Sequence, residues 1–184
     1  MFLKRCKQYG FTLVELLIVA IMLAILAAIV VPQFASTTVE ASESALKSDL
    51  AGIRSSIDLY RQQHGEYPGA NLSSGLTCTA GAAGTGAAGV QQALEDQLAF
   101  YTNDTGQSCT GPDPTQVPLG PYFKGPGLPA NPITGSNAVV FETTGILTMA
   151  GSGAGLGWRY DTSSGKFIAN DTNNDSRGVP FDTY

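Results

Sequence analysis

An α+β fold is predicted, with one long N-terminal helix, membrane-spanning in its first half, packed on a small C-terminal antiparallel sheet. Three observations predict it. No polar side chain interrupts Leu16 to Val31. Apolar residues then recur at alternating steps of three and four from Leu46 to Tyr60, which is one face of a helix. Beyond residue 136, short apolar segments alternate with turn residues, the pattern of short strands.

The chain has 184 residues, enough for a membrane segment and one domain. Outside the apolar run it is poor in Leu, Ile and Val and rich in Gly, Pro, Ser, Thr and Asn, so a small core wrapped in long loops is expected. Ten Lys and Arg stand against fifteen Asp and Glu, a formal net charge of −5. This balance, with no basic stripe, excludes nucleic acid as an expected partner. There is one histidine and no G-x-S-x-G, P-loop or H-E-x-x-H, so the chain is not expected to be an enzyme.

Residues 1–10 form a short basic head carrying Lys4, Arg5, Lys7 and Cys6. Phe11 to Val31 is 21 residues, and a helix of that length reaches about 30 Å, the thickness of a bilayer core. The basic head should stay cytoplasmic while the larger C-terminal part crosses. A secretory signal peptide and a plain anchor share part of this pattern. Glu15 fits neither well: a carboxylate near the start of such a helix costs roughly 3 kcal/mol on insertion scales, and calls for a partner.

Gly10-Phe11-Thr12-Leu13-Val14-Glu15, read with the basic head and the apolar helix, resembles the N-terminus of type IV prepilins and type II secretion pseudopilins. The resemblance implies a pilin-like fold and a set of site roles. A prepilin peptidase would remove residues 1–10 by cutting after Gly10, then methylate the new Phe11 amine. Glu15 would be the acid at mature position five, meeting the Phe11 amine of a neighbouring subunit. Such a buried pair can specify register without adding net stability. Pro32 falls where the helix of such filaments is often extended after assembly, and by its own chemistry it removes one helix bond. A helix end at Pro32 is the other reading. Ala24 stands where the family commonly has a Gly.

The resemblance implies a structural subunit of a type IV-like filament, best a major pseudopilin of a type II secretion pseudopilus. The alternatives are a type IV pilus pilin for adhesion, twitching or DNA uptake, and a membrane-anchored binding domain that never polymerises. Expected partners are further copies in a helical homopolymer, the prepilin peptidase, an inner-membrane assembly platform with minor pilins or pseudopilins, and membrane lipid. The expected location is the inner membrane, single-pass, with the C-terminal domain in the periplasm or outside.

Residues 11–34 are then the transmembrane and assembly helix, and 35–66 an amphipathic helix. On the latter, Val39, Leu46, Leu50, Ile53, Ile57 and Tyr60 are expected inward. Glu43 and Lys47 have the spacing of a favourable i, i+4 pair on a solvated face. His64 is expected at the surface of the helix end, before Gly65 stops it. Gly65-Glu66-Tyr67-Pro68 also resembles the helix-to-loop junction of major pseudopilins.

Residues 67–135 are a variable region: an exposed Gly/Ala/Ser/Thr loop over 71–89, a short helix over 90–101, and a stretch holding seven of the ten prolines. Leu128-Pro129-Ala130-Asn131-Pro132 resembles the link before the pseudopilin sheet. Cys78 and Cys109 lie beyond the membrane segment and read as a disulfide, with two free thiols as the other reading. In 136–184 two hairpins are expected. One pairs 138–142 with 146–149, the other 156–160 with 166–169, and Trp158 and Phe167 should pack on the long helix. The tail places Asp171, Asn173 and Asp175 as D-x-N-x-D, the start of a calcium loop, with Asp182 as a late candidate. Many major pseudopilins hold calcium in a C-terminal loop, but Ser176 replaces the expected Gly here. No other cofactor is expected.

Overall fold

A computed structural model describes residues 10–146, 148–153 and 156–184, without the side chains of residues 31, 32, 35 and 36. The basic head, including Lys4, Arg5, Lys7 and Cys6, lies outside the described residues. Two compact units divide at Ala41/Ser42. Helix α1 (Leu13–His64) contributes its first part to one unit and its second part to the other.

In the first unit the side chains from Phe11 to Val30 are all exposed. Leu13–Val30 is long and apolar enough to cross a membrane. The backbone stays helical through position 32, so the helix does not end at Pro32. Its missing N–H leaves the carbonyl four residues earlier without its usual donor. Just beyond, Thr37 and Thr38 hydroxyls donate to the carbonyls of Gln33 and Phe34, the back-bonding open to Thr inside a helix.

The second unit is built on the remaining turns of α1. Leu46, Leu50, Ile53, Ile57 and Tyr60 are buried, as their spacing requires, whereas Val39 is exposed. Gly65, at φ +75°, closes the helix in the left-handed region, its N–H donating to the Arg61 carbonyl. Helix α2 (Gln91–Ala99) buries Leu94 and Leu98 against the same cluster. A two-stranded antiparallel sheet follows, β1 (Tyr101–Thr102) with β2 (Ser108–Cys109), which sequence reasoning missed because each strand is only two residues long.

The main sheet has three strands in chain order: β3 (Val139–Glu142), β4 (Trp158–Asp161) and β5 (Phe167–Ala169). Strands β4 and β5 pair antiparallel with Tyr160 opposite Phe167, the expected hairpin. Trp158, Tyr160 and Phe167 join Leu50, Ile53 and Ile57 in one buried cluster. The indole N–H of Trp158 donates to the Pro129 carbonyl at 2.9 Å, and the Tyr160 hydroxyl donates to Pro68 at 2.9 Å. Those bonds hold the proline-rich link and the post-helix turn against the sheet.

The other expected hairpin does not form. Strand β3 runs parallel to β4, Val139 beside Trp158 and Glu142 beside Asp161, so the sheet is mixed. Residues 146 and 148–149 form no strand, and Leu147 lies outside the described residues. The end of β3 docks instead on the β4–β5 turn: Thr162 N–H donates to the Glu142 carbonyl and Ser163 hydroxyl to Thr143. Pairing with β4 places β3 beside Trp158 and Tyr160, two large buried aromatics, and residues 146–149 carry no aromatic to match them.

Candidate functional site

The motif at the head of α1 is a reciprocal cap. Thr12 is the N-cap residue: its carbonyl accepts from Leu16 N–H, the first intrahelical bond. The Glu15 N–H donates to Thr12 Oγ1 at 3.3 Å. In return Glu15 Oε2 accepts from the Thr12 N–H at 3.0 Å and from its hydroxyl at 2.7 Å. This is the capping box of a Thr-x-x-Glu sequence, two orphan donors satisfied at once. Gly10 and Phe11 precede the helix and are exposed. With the Gly10–Phe11 bond intact, Phe11 N is a peptide nitrogen, and among the described residues the partner of Glu15 is Thr12. Sequence reasoning missed Thr12, although the T-x-x-E spacing ahead of an apolar run was the available signal.

A family model described as "Prokaryotic N-terminal methylation motif" matches residues 5–31. The type II secretion system core protein G of Pseudomonas aeruginosa is 39% identical over 66 residues, 36% of this chain and 46% of that protein. A fimbrial protein of Neisseria meningitidis serogroup B is 41% identical over 69 residues, 38% of this chain and 41% of that one. The core protein G of Escherichia coli K12 is 32% identical over 65 residues, 35% of this chain and 45% of that protein. Through this segment the chain carries an N-terminal methylation motif and is similar to type II secretion core protein G and to a fimbrial protein. The chain spans less than half the length of the curated relatives it matches. No solved structure matches it significantly.

Most of this chain therefore lies beyond the likeness to the named relatives, and its own geometry describes it. Cys78 and Cys109 are joined in a disulfide, Cα atoms 5.9 Å apart. The bridge ties the 71–89 loop to β2. That loop is not simply exposed. Asp96 of α2, almost fully buried, accepts from Ser73 hydroxyl at 2.7 Å, Thr85 N–H at 2.8 Å and Gly86 N–H at 3.2 Å. Gln97, also buried, accepts from Gly69 N–H and donates to the carbonyls of Asn71 and Gly106. The polar face of α2 thus orders a segment that has no apolar bulk of its own.

His64 and Glu43 depart from their expected solvated settings. His64 stacks flat on Tyr60, ring centroids 3.8 Å apart, and its Nε2 lies 3.0 Å from the Thr102 hydroxyl. Burial holds its pKa below the ordinary histidine value. Glu43 makes no ion pair with Lys47 among the described residues. Its carboxylate accepts from the Ser176 N–H at 2.7 Å and hydroxyl at 2.9 Å, while Lys47 Nζ sits over the Tyr184 ring.

The D-x-N-x-D tail does not fit a calcium ion as it is folded. Asp171 Oδ1 accepts from Asn173 N–H and from its side-chain amide, at 2.9 and 2.8 Å. Asp175 Oδ1 accepts from the N–H groups of Arg177 and Val179, both at 2.8 Å. Asp175 Oδ2 accepts from the Arg177 guanidinium and from the Tyr184 hydroxyl. These donors, the tyrosine first among them, hold the Asp175 carboxyl well below the usual carboxylate range. Among the described residues no three Asp, Glu, His or Cys side chains gather as a metal site would require.

Proposed function

We propose that this chain is a structural subunit of a type IV-like filament, best read as the major pseudopilin of a type II secretion pseudopilus. The observation that carries the reading is the capped Glu15 at the head of a membrane-length apolar helix, one residue turn beyond the Gly10–Phe11 junction. Cutting that peptide bond turns an uncharged nitrogen into an amine. Among the described residues both Thr12 contacts fall on one oxygen of Glu15, and a carboxylate has lone pairs to accept the Phe11 amine of a second copy as well. Pairing neutralises two charges that the bilayer core penalises singly, and favours adding a subunit in one register.

The relatives named as core protein G favour the secretion branch, and the Neisseria fimbrial protein keeps a type IV pilus pilin as the second reading. Partners on either reading are further copies, a prepilin peptidase, the inner-membrane assembly platform with its minor subunits, and lipid around Leu13–Val30. The disulfide supports a C-terminal unit outside the cytoplasm. No catalysis is assigned to the chain, which acts as a peptidase's substrate and as a building block.

The test is co-expression with a prepilin peptidase, followed by intact-mass analysis and electron microscopy of sheared material. The reading predicts a chain beginning at N-methylated Phe11 and found in filaments. An uncut chain that remains monomeric would point to the anchored, non-polymerising domain. Complementation of strains lacking a major pseudopilin or a major pilin separates the two filament branches.

A further inference from the structure

We infer that the Asp171–Tyr184 tail is closed by a cation the chain itself carries, the Arg177 guanidinium, and that its fold is independent of calcium. The inference stands whether or not the chain polymerises. A calcium loop works by turning six to eight oxygens toward one point. Here each acidic side chain is turned toward a different N–H group. Counting Asp171 as place one, Asp175 at place five receives two backbone N–H groups, the Arg177 fork at 3.1–3.2 Å and the Tyr184 hydroxyl. A carboxylate has about four lone-pair sites, and these donors occupy them.

The remaining places tell the same story. Asn173, at place three, aims its amide N–H at Asp171. Ser176 stands at place six, where a calcium loop needs Gly, and donates twice to Glu43 of α1. Arg177 stands at place seven, where such a loop offers only a backbone carbonyl, and it delivers a positive charge to the Asp175 carboxylate. Asp182, at place twelve, is engaged by the Gly151 N–H at 2.7 Å. Two N–H groups of the rigid guanidinium converge on the single oxygen Asp175 Oδ2, a fork that an ammonium does not present, so Arg and Lys are not equivalent here. Tyr184 extends the closure to α1: its hydroxyl donates to Asp175 and its carbonyl accepts from Arg54.

Thermal unfolding of the full chain in detergent, followed by Trp158 fluorescence, tests this with calcium chloride as the only added ion. Wild type should melt within about 1 °C in millimolar calcium and in chelator. A site with a Kd of about 10⁻⁴ M would raise Tm by roughly 5–10 °C at hundredfold excess, and a calcium-dependent rise of about 3 °C or more overturns the inference. Arg177→Gln should lower Tm by about 2–6 °C and Arg177→Lys by less. In an Asp175→Asn background the Arg177→Gln loss should largely vanish. An Arg177→Gln protein as stable as wild type also overturns it. The calcium comparison on wild type decides the matter even if the variants fail to fold.

Discussion

Thr12 shows how one hydroxyl can change what a neighbouring acid means. A carboxylate in an apolar run reads as unsatisfied, yet Glu15 is engaged before any partner arrives, because a helix start leaves backbone donors open. Thr12→Val should therefore fray the first turn of α1. The expected cost is about 1 kcal/mol, roughly fivefold faster amide exchange at residues 13–15 in micelles. His64 carries a second residue-scale prediction. Its folded pKa is depressed by burial, so the neutral form is the stabilising one. That contribution is complete above about pH 6.5 and is lost as pH falls through the lower folded value. Urea midpoints should drop between about pH 7 and pH 5, and His64→Gln should flatten that drop. Sequence reasoning placed Glu15 correctly at the head of the helix. It misjudged His64 and Glu43, because a partner more than thirty residues away leaves no mark on local spacing.

Elements with a strong period were legible and those made by distant pairing were not. The buried face of α1 from Leu46 to Tyr60 and the β4–β5 hairpin follow from apolar spacing and a local turn. The parallel pairing of β3 with β4 does not, because residues 146–149 lie nearer behind a local turn and only the tertiary burial of Trp158 and Tyr160 favours the more distant strand. The loop over 71–89 is the other case. It lacks apolar bulk, and its order comes from a buried carboxylate on α2. Asp96→Ala should leave the Thr85 N–H without its acceptor while Ser73 and Gly86 keep only each other, cost about 2 kcal/mol, and open this segment to limited proteolysis. Replacing both Cys78 and Cys109 by Ser should lower stability by about 3–4 kcal/mol in the chain-entropy model, measured by denaturant unfolding.

For the molecule as a whole, two units carry two kinds of information. The first is almost entirely surface among the described residues, an apolar helix capped at its head by Thr12 and Glu15. It is also where the likeness to the named relatives lies, and its Leu13–Val30 stretch is long and apolar enough to cross a membrane. The second unit has its own core around Trp158 and Tyr160 and its own closures: a disulfide, the α2 network and the Arg177–Asp175 tail. Those closures depend on Gly, Ser and Asn positions whose local signals are weak, so the sequence announced loops without showing what fastens them.

The central claim is that Glu15 serves assembly between copies rather than the stability of one copy. Glu15→Ala, co-expressed with the peptidase, tests it most directly through the filament yield in sheared fractions beside the intact mass of the membrane-bound pool. The account predicts normal removal of residues 1–10, a folded C-terminal unit with its disulfide, and loss of nearly all filaments. Wild-type filament yield from a correctly cut Glu15→Ala chain would contradict it.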